Sequence, residues 1–320
     1  MDNSFLKDRA VILLNETAPG IVYTATQELA AWFEGITGIG DADISTGKNI
    51  MLPSGKAIAP GKAAYCLKEF MRTQVFLQGI FEAINDLLLQ KASVHIVYAG
   101  TGPYGTLITP LLTLFSPQQV RLTLIEINPI SLEALEKVYA HLQLSEFVDE
   151  YLLTDAATYQ LPPDKTADII ISETMLAALK NEPQVAIMQN LIPQLKPGGV
   201  FIPQQITVAA QLVNFGKETA YMMGEADDPQ RIFLKEIYTV SQTSLPGEVE
   251  TIVDIPDGIS NNAVALFTDI YVYKNHLLTV NNCSLNMPVR VTKIDPPGSV
   301  NQITFKYMMG EKPGFQFTLN

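Results

Sequence analysis

Between residues 90 and 205 the apolar positions alternate between two spacings. Short apolar runs give way to stretches with apolar residues three and four apart, and then to runs again. Val94–Ala99 is such a run and stops at a glycine cluster, which predicts a buried strand. Leu122–Ile127, Glu150–Thr154 and Asp168–Ser172 predict three more, each bounded by turn or charged residues. Between the second and third, Leu132, Leu135, Val138 and Leu142 share one helical face. Asn128 can cap that helix, and Pro129 suits its first turn, where a missing N–H leaves nothing unpaired. A further helix is predicted from about Glu182 to Leu195. Lys196-Pro197-Gly198-Gly199 stops it, and Val200–Ile202 reads as a strand.

Outside this block the pattern differs. Residues 1–60 are mixed, with a glycine-rich stretch at 35–40 and turn signals at Pro53 and Gly55. A long helix is predicted from about Pro60, with Leu67, Met71, Val75, Leu77, Ile80, Ile84 and Leu87 along its apolar stripe. After residue 206, Thr207–Val213, Ala263–Tyr273, Val289–Lys293 and Gln302–Tyr307 alternate like strands of an antiparallel sandwich or barrel. Gly216–Tyr238 reads as partly helical. The strand–helix alternation predicts a parallel sheet with right-handed crossovers. Three regions follow: an N-terminal helical region (1–90), an α/β cofactor-binding domain (91–205) and a C-terminal β-barrel-like domain (206–320).

Composition narrows the classes of function. The net charge of −12 repels phosphate backbones, which argues against a nucleic-acid partner. No apolar stretch approaches the length of a membrane helix, and the first residues carry Asp2 rather than a signal peptide's features. The two cysteines, Cys66 and Cys283, form no disulfide framework, so a reducing cytoplasm is expected. His95, His141 and His276 are scattered without metal-ligand spacing, and no metal site is expected.

The candidate chemistry starts at Gly100-Thr101-Gly102-Pro103-Tyr104-Gly105, directly after the first strand. Glycines there let a ligand approach the backbone where a Cβ would clash. Glu126 ends the second strand, where a carboxylate can accept hydrogen bonds from both hydroxyls of a ribose. Asp155 ends the third, near the place of an adenine ring, with a turn cap as its competing role. These features fit nicotinamide dinucleotides as well as S-adenosylmethionine. The Leu195–Gly199 turn and the continuation of the glycine turn into Leu107-Ile108 favour S-adenosylmethionine.

From Arg72 to about Gln211 the sequence resembles the class I S-adenosylmethionine-dependent methyltransferases, and specifically the protein arginine methyltransferases. Met71-Arg72-Thr73, Ala99–Gly105, the Ile169–Met175 segment with Ser172-Glu173-Thr174-Met175, and Leu195–Pro203 carry the likeness. The fold it implies is α/β: a Rossmann-like methyltransferase sheet with an N-terminal helical segment and a C-terminal antiparallel β-domain. The cofactor it implies is S-adenosyl-L-methionine, held by Arg72, Ala99, Gly100, Thr101, Gly102, Gly105, Glu126, Ile127, Asp155, Ala156 and Glu173. Arg72 matches the arginine that meets the carboxylate of the cofactor's methionine moiety. Glu173 and Glu182 match the family's catalytic glutamate pair. Two carboxylates can clamp a guanidinium and stabilise positive charge as it moves from sulfur to nitrogen.

The sequence also departs from the family. Thr279–Ser284 stands where the family has Thr-His-Trp, and the only tryptophan is Trp32. No Tyr-Phe cluster precedes Arg72, where Tyr65 and Phe70 are the available aromatics. The acceptor implied is therefore a nitrogen, guanidine or amine, of a small molecule or peptide. The alternatives are a small-molecule O-methyltransferase, a non-catalytic S-adenosylmethionine-binding module and a nicotinamide-dependent dehydrogenase. The related enzymes dimerise through an arm inserted in the β-domain, and Gly216–Tyr238 is the position for one, so a homodimer is expected.

Overall fold

The computed structural model describes residues 3–40, 47–163, 165–256, 263–296 and 298–320. The chain opens with α1 (Ser4–Asn15) and α2 (Pro19–Thr37). Pro19 starts α2, and Val22, Ala25, Leu29 and Phe33 bury one face before Gly38 ends it in the left-handed conformation. A hairpin of β1 (Ile50–Leu52) and β2 (Gly55–Ala57) leads into α3 (Pro60–Tyr65) and α4 (Phe70–Leu88). The single long helix expected from Pro60 is thus two. The break lies at Cys66–Glu69: the Thr73 hydroxyl takes the Leu67 carbonyl at 3.0 Å, and Glu69 leaves helical geometry at ψ 84°.

The central sheet comprises β3 (Val94–Ala99), β4 (Val120–Glu126), β5 (Val148–Leu153), β6 (Ala167–Ser172) and β7 (Leu195–Ile202). Its order is β5-β4-β3-β6-β7, and every pairing is parallel. α5 (Pro129–His141) joins β4 to β5, capped as expected by the Asn128 side chain, which accepts from the Ile130 N–H. α6 (Gln184–Leu191) precedes β7 and is shorter than the expected helix. Pro193 removes an N–H, and the chain tightens into a 3₁₀ turn at Ile192–Gln194. The chain winds outward one way through β4 and β5 and then returns to β6 on the other side of β3. The order therefore reverses at β3 and β6, the place where open parallel sheets leave a crevice beyond their carboxyl ends.

Two antiparallel sheets follow. β8 (Gln205–Val213) pairs with β9 (Ile232–Ser241) and with β11 (Ala263–Tyr273), which also pairs with β12 (His276–Leu278) and β13 (Val289–Lys293). β10 (Val249–Asp254), β14 (Gln302–Met308) and β15 (Gly314–Leu319) form the other sheet. Aromatic rings join them: Tyr238 lies 4.4 Å from Tyr307 and 5.9 Å from Phe315. Of the partly helical reading of Gly216–Tyr238, α7 (Phe215–Met222) is helical and the remainder runs into β9. No helix among the described residues is long and apolar enough to cross a membrane.

Candidate active site

Strand register assembles the site. Ala99 of β3 pairs with Ile125 of β4 and with Ser172 of β6, and Glu126 pairs with Leu153 of β5. The residues that follow those pairs, Gly100, Asp155 and Glu173, therefore leave the sheet beside Glu126 on one edge. A cavity of about 330 Å³ opens there. Arg72, Gly100, Thr101, Gly102, Glu126, Ile127, Asp155, Ala156, Glu173 and Glu182 all line it. Ala99 and Gly105 do not. Ala99 is fully buried in its strand. Gly105 lies beneath the turn, where an added Cβ would stand 2.9 Å from Leu135 of α5 and 2.8 Å from the Thr109 hydroxyl. Gly100 has φ +75°, and a Cβ there would sit 2.4 Å from Thr174 Cγ2. The glycine at 100 thus lets the turn pass against the strand that delivers Glu173.

Glu126 is 6% exposed and tied to the glycine turn. Its Oε2 accepts from the Gly102 N–H at 2.8 Å, and its Oε1 accepts from the N–H groups of Ile127 and Asn128, each at 2.8 Å. Burial pushes its carboxyl above the ordinary range against the pull of those N–H groups. Asp155 accepts from the Ala157 N–H at 2.8 Å, so it does cap its own turn while facing the cavity. Asn190 of α6 holds that turn by donating to the Ala156 carbonyl at 2.9 Å.

Arg72 is buried between two carboxylates. Its Nη1 donates to Glu69 at 2.8 Å, and its Nη2 donates to Glu173 Oε2. Glu69 also accepts from the Ser284 N–H at 2.7 Å and the Ser284 hydroxyl at 2.9 Å. Burial alone would raise the Glu69 carboxyl, but the Arg72 guanidinium and Ser284 hold it below the ordinary carboxylate range. The Thr279–Ser284 segment therefore reaches the cavity rim through Ser284 despite lacking the family's histidine and tryptophan. Tyr65 lines the cavity and Phe70 does not; Phe70 packs edge-on to Tyr23, with ring centres 6.2 Å apart.

Glu173 and Glu182 stand at the two ends of a tight hairpin. Ala178, Leu179 and Asn181 have φ of 55°, 53° and 66°, the left-handed region that non-glycine residues avoid. Contacts from elsewhere fix this backbone. The Ala178 N–H donates to the Thr268 hydroxyl at 2.9 Å, and the Asn181 N–H to the Pro313 carbonyl at 2.7 Å. The Tyr307 hydroxyl donates to the Leu179 carbonyl at 3.2 Å, and the Lys56 N–H to the Asn181 carbonyl at 2.8 Å. Gln184 ties the ends together by donating to the Ser172 carbonyl and accepting from the Thr174 N–H. The Oε1 atoms of both Glu173 and Glu182 are buried without a hydrogen-bond partner among the described residues. Burial pushes the Glu182 carboxyl up to about 7, against the downward pull of Lys56, Arg72 and Lys62.

Sequence reasoning missed Lys56, Lys62, Glu69 and Ser284. Glu69 carried a signal, since it lies three residues before Arg72 on a helix entry, the spacing of an intrahelical ion pair. Lys56 comes from the three-residue strand β2 and Ser284 from a single 3₁₀ turn, elements too short for periodicity to mark.

No protein-family model matches the chain, and no curated protein matches it. Solved structures do. One is the Trypanosoma brucei PRMT1 enzyme-prozyme heterotetrameric complex with AdoHcy, which is 12% identical over 82% of this chain and 93% of that chain, with a TM-score of 0.55. The shared fold is that of the protein arginine methyltransferases: N-terminal helices, a parallel Rossmann-like sheet and C-terminal antiparallel sheets.

Proposed function

We propose that this chain is an S-adenosylmethionine-dependent methyltransferase that methylates a nitrogen, guanidine or amine, of a small molecule or peptide. The observation that carries the reading is the pair of buried, unpartnered carboxylate oxygens of Glu173 and Glu182 on the cavity wall. A buried carboxylate oxygen without a donor is costly, and a cationic N–H ligand removes that cost. The residues present also fit the cofactor. The glycine turn with Glu126 suits the ribose, Asp155 and Ala156 border the place for the base, and Arg72 offers a cation to a carboxylate. The AdoHcy in the solved relative supports the same assignment.

When bound, S-adenosylmethionine supplies an electrophilic sulfonium methyl. The chain's own part is to position and neutralise. Glu173 and Glu182 orient the acceptor nitrogen and offset the positive charge gathering on it. A carboxyl held near 7, as in Glu182, is suited to take the proton that the nitrogen sheds onto its Oε1. The apolar wall from Leu52, Met175 and Leu285 keeps water out.

Calorimetric titration with S-adenosylmethionine, S-adenosylhomocysteine and NADH tests the cofactor, and labelled-methyl transfer to guanidines tests the reaction. Micromolar binding of the first two, lost in Glu126→Ala, is expected. Glu173→Gln should bind S-adenosylhomocysteine within a few-fold of wild type and lose about 100-fold or more in turnover. NADH binding without either sulfur ligand would return the glycine turn to the dehydrogenases. Cofactor binding without transfer to any acceptor would make the chain a binding module.

A further inference from the structure

Three cations line the cavity, and they differ in what they already hold. Arg72 is engaged by Glu69 and Glu173. Lys56 and Lys62 have no carboxylate within ion-pair distance among the described residues, yet both act on Glu182 from farther away. Lys56, Lys62 and Glu182 line the same cavity. Both lysines belong to the segment that roofs it. The β2 backbone at Lys56 is bonded to Asn181, beside Glu182, at 2.8 Å. α3, which carries Lys62, lies over the glycine turn, with Ala63 Cβ 3.3 Å from where a Cβ on Gly102 would stand.

Building on the methyl-transfer reading, we propose that the acceptor is a small zwitterionic acid, a carboxylic acid bearing a guanidinium or amine at its far end, and that Lys56 and Lys62 receive its carboxylate. The two ends of such a molecule match the two unmet charges of the cavity. Its cationic end meets the open oxygens of Glu173 and Glu182, and its anionic end meets the unpaired ammonium groups. A carboxylate fits better than a phosphate. Glu69, Glu126, Asp155, Glu173 and Glu182 also line the cavity, and their field opposes a dianion more strongly than a monoanion. An arginine within a polypeptide brings no carboxylate at the end of its side chain's reach and leaves the lysines unmet. The narrow hairpin fixes the cationic end, so the length of the acid decides the fit.

The test is a calorimetric titration of the full chain, with and without saturating S-adenosylhomocysteine. The probes are ω-guanidino carboxylic acids of increasing chain length, the amide of each, and an arginine peptide with both ends blocked. One acid of the series is expected to bind roughly ten- to a hundred-fold tighter than its own amide and than the peptide. Lys56→Met and Lys62→Met should erase that difference while leaving the S-adenosylhomocysteine Kd within about two-fold and the melting temperature unchanged. Equal binding of acid and amide, or no binding of any acid, would overturn the proposal. So would lysine variants that weaken S-adenosylhomocysteine instead, since the lysines would then serve the cofactor's own carboxylate. Failure of the methyl-transfer reading has a separate signature: S-adenosylhomocysteine itself does not bind, while the titration without it still decides the lysine assignment.

Discussion

Glu182 makes the proposed site measurable without any ligand. Its side chain is 6% exposed, and its carboxyl is pushed from 4.5 up to about 7, chiefly by burial. The folded chain therefore keeps this proton between pH 4.5 and about 7, where the unfolded chain has released it. Stability must fall as pH rises through that window, and the loss is complete above about 7. The distance from 4.5 to about 7, at about 1.4 kcal/mol for each pH unit, makes the loss about 3 kcal/mol. Glu182→Gln removes the titration and keeps the shape. With an unfolding entropy of about 2.1 cal/mol/K per residue over 320 residues, 3 kcal/mol corresponds to about 4–5 °C in Tm. The assay is scanning calorimetry of both proteins at pH 5 and pH 8. Part of the loss is already present at pH 5, so the difference in Tm, variant minus wild type, should be about 4 °C more favourable at pH 8 than at pH 5. A difference that is the same at both pH values, or that moves the other way, would refute the argument that this carboxylate is buried without compensation.

Two further outcomes follow from the geometry. Gly100→Ala forces a left-handed φ on alanine and drives a Cβ to 2.4 Å from Thr174, next to Glu173. It should cost about 2–4 kcal/mol in urea denaturation, and a cost below about 1 kcal/mol would mean that the turn yields freely. Tyr221, Met222 and Met223 at the end of α7 are 39%, 54% and 68% exposed, a run of exposed apolar side chains at the position of the expected dimerisation arm. Sedimentation velocity should find a dimer that Met222→Asp with Met223→Asp converts to monomer, and a monomeric wild type would remove the arm.

The middle of the central sheet was legible because β3, β4 and β6 are buried on both faces, so each is a nearly unbroken apolar run between punctuating residues, whereas the edge strand β5 was marked by its flanking turns. β3 matches its predicted span, and β4, β5 and β6 lie within two residues of theirs. The α5 start was legible from Asn128-Pro129 alone. β10 and β15 alternate buried with exposed positions weakly or lie largely open, and neither was read from the sequence. The same physics limited the site reading. Strand-end residues follow from register, so Glu126, Asp155 and Glu173 could be placed. Lys56, Lys62 and Ser284 sit on a three-residue strand, a six-residue helix and a single 3₁₀ turn, and the tertiary packing that brings such short elements to the cavity is encoded by no local spacing. Gly105 shows the reverse case: a motif position whose place in the fold is to admit α5.

The C-terminal sheets act on the site mainly through the position of their backbone. The hairpin between Glu173 and Glu182 is strained at Ala178, Leu179 and Asn181, and each left-handed non-glycine residue costs about 1–2 kcal/mol. Such a turn persists only where its surroundings over-determine it. Those surroundings are a threonine hydroxyl at 268, a tyrosine hydroxyl at 307 and the backbone carbonyl of Pro313. Two of the three contacts need only a hydroxyl of the right reach, and the third needs no particular side chain at all. The hairpin thus demands the position of β11, β14 and the β14–β15 turn rather than their sequence. The same holds at the rim, where Ser284 meets Glu69 through its N–H as well as its hydroxyl. A domain that acts on the site in this way constrains strand register more tightly than side-chain identity.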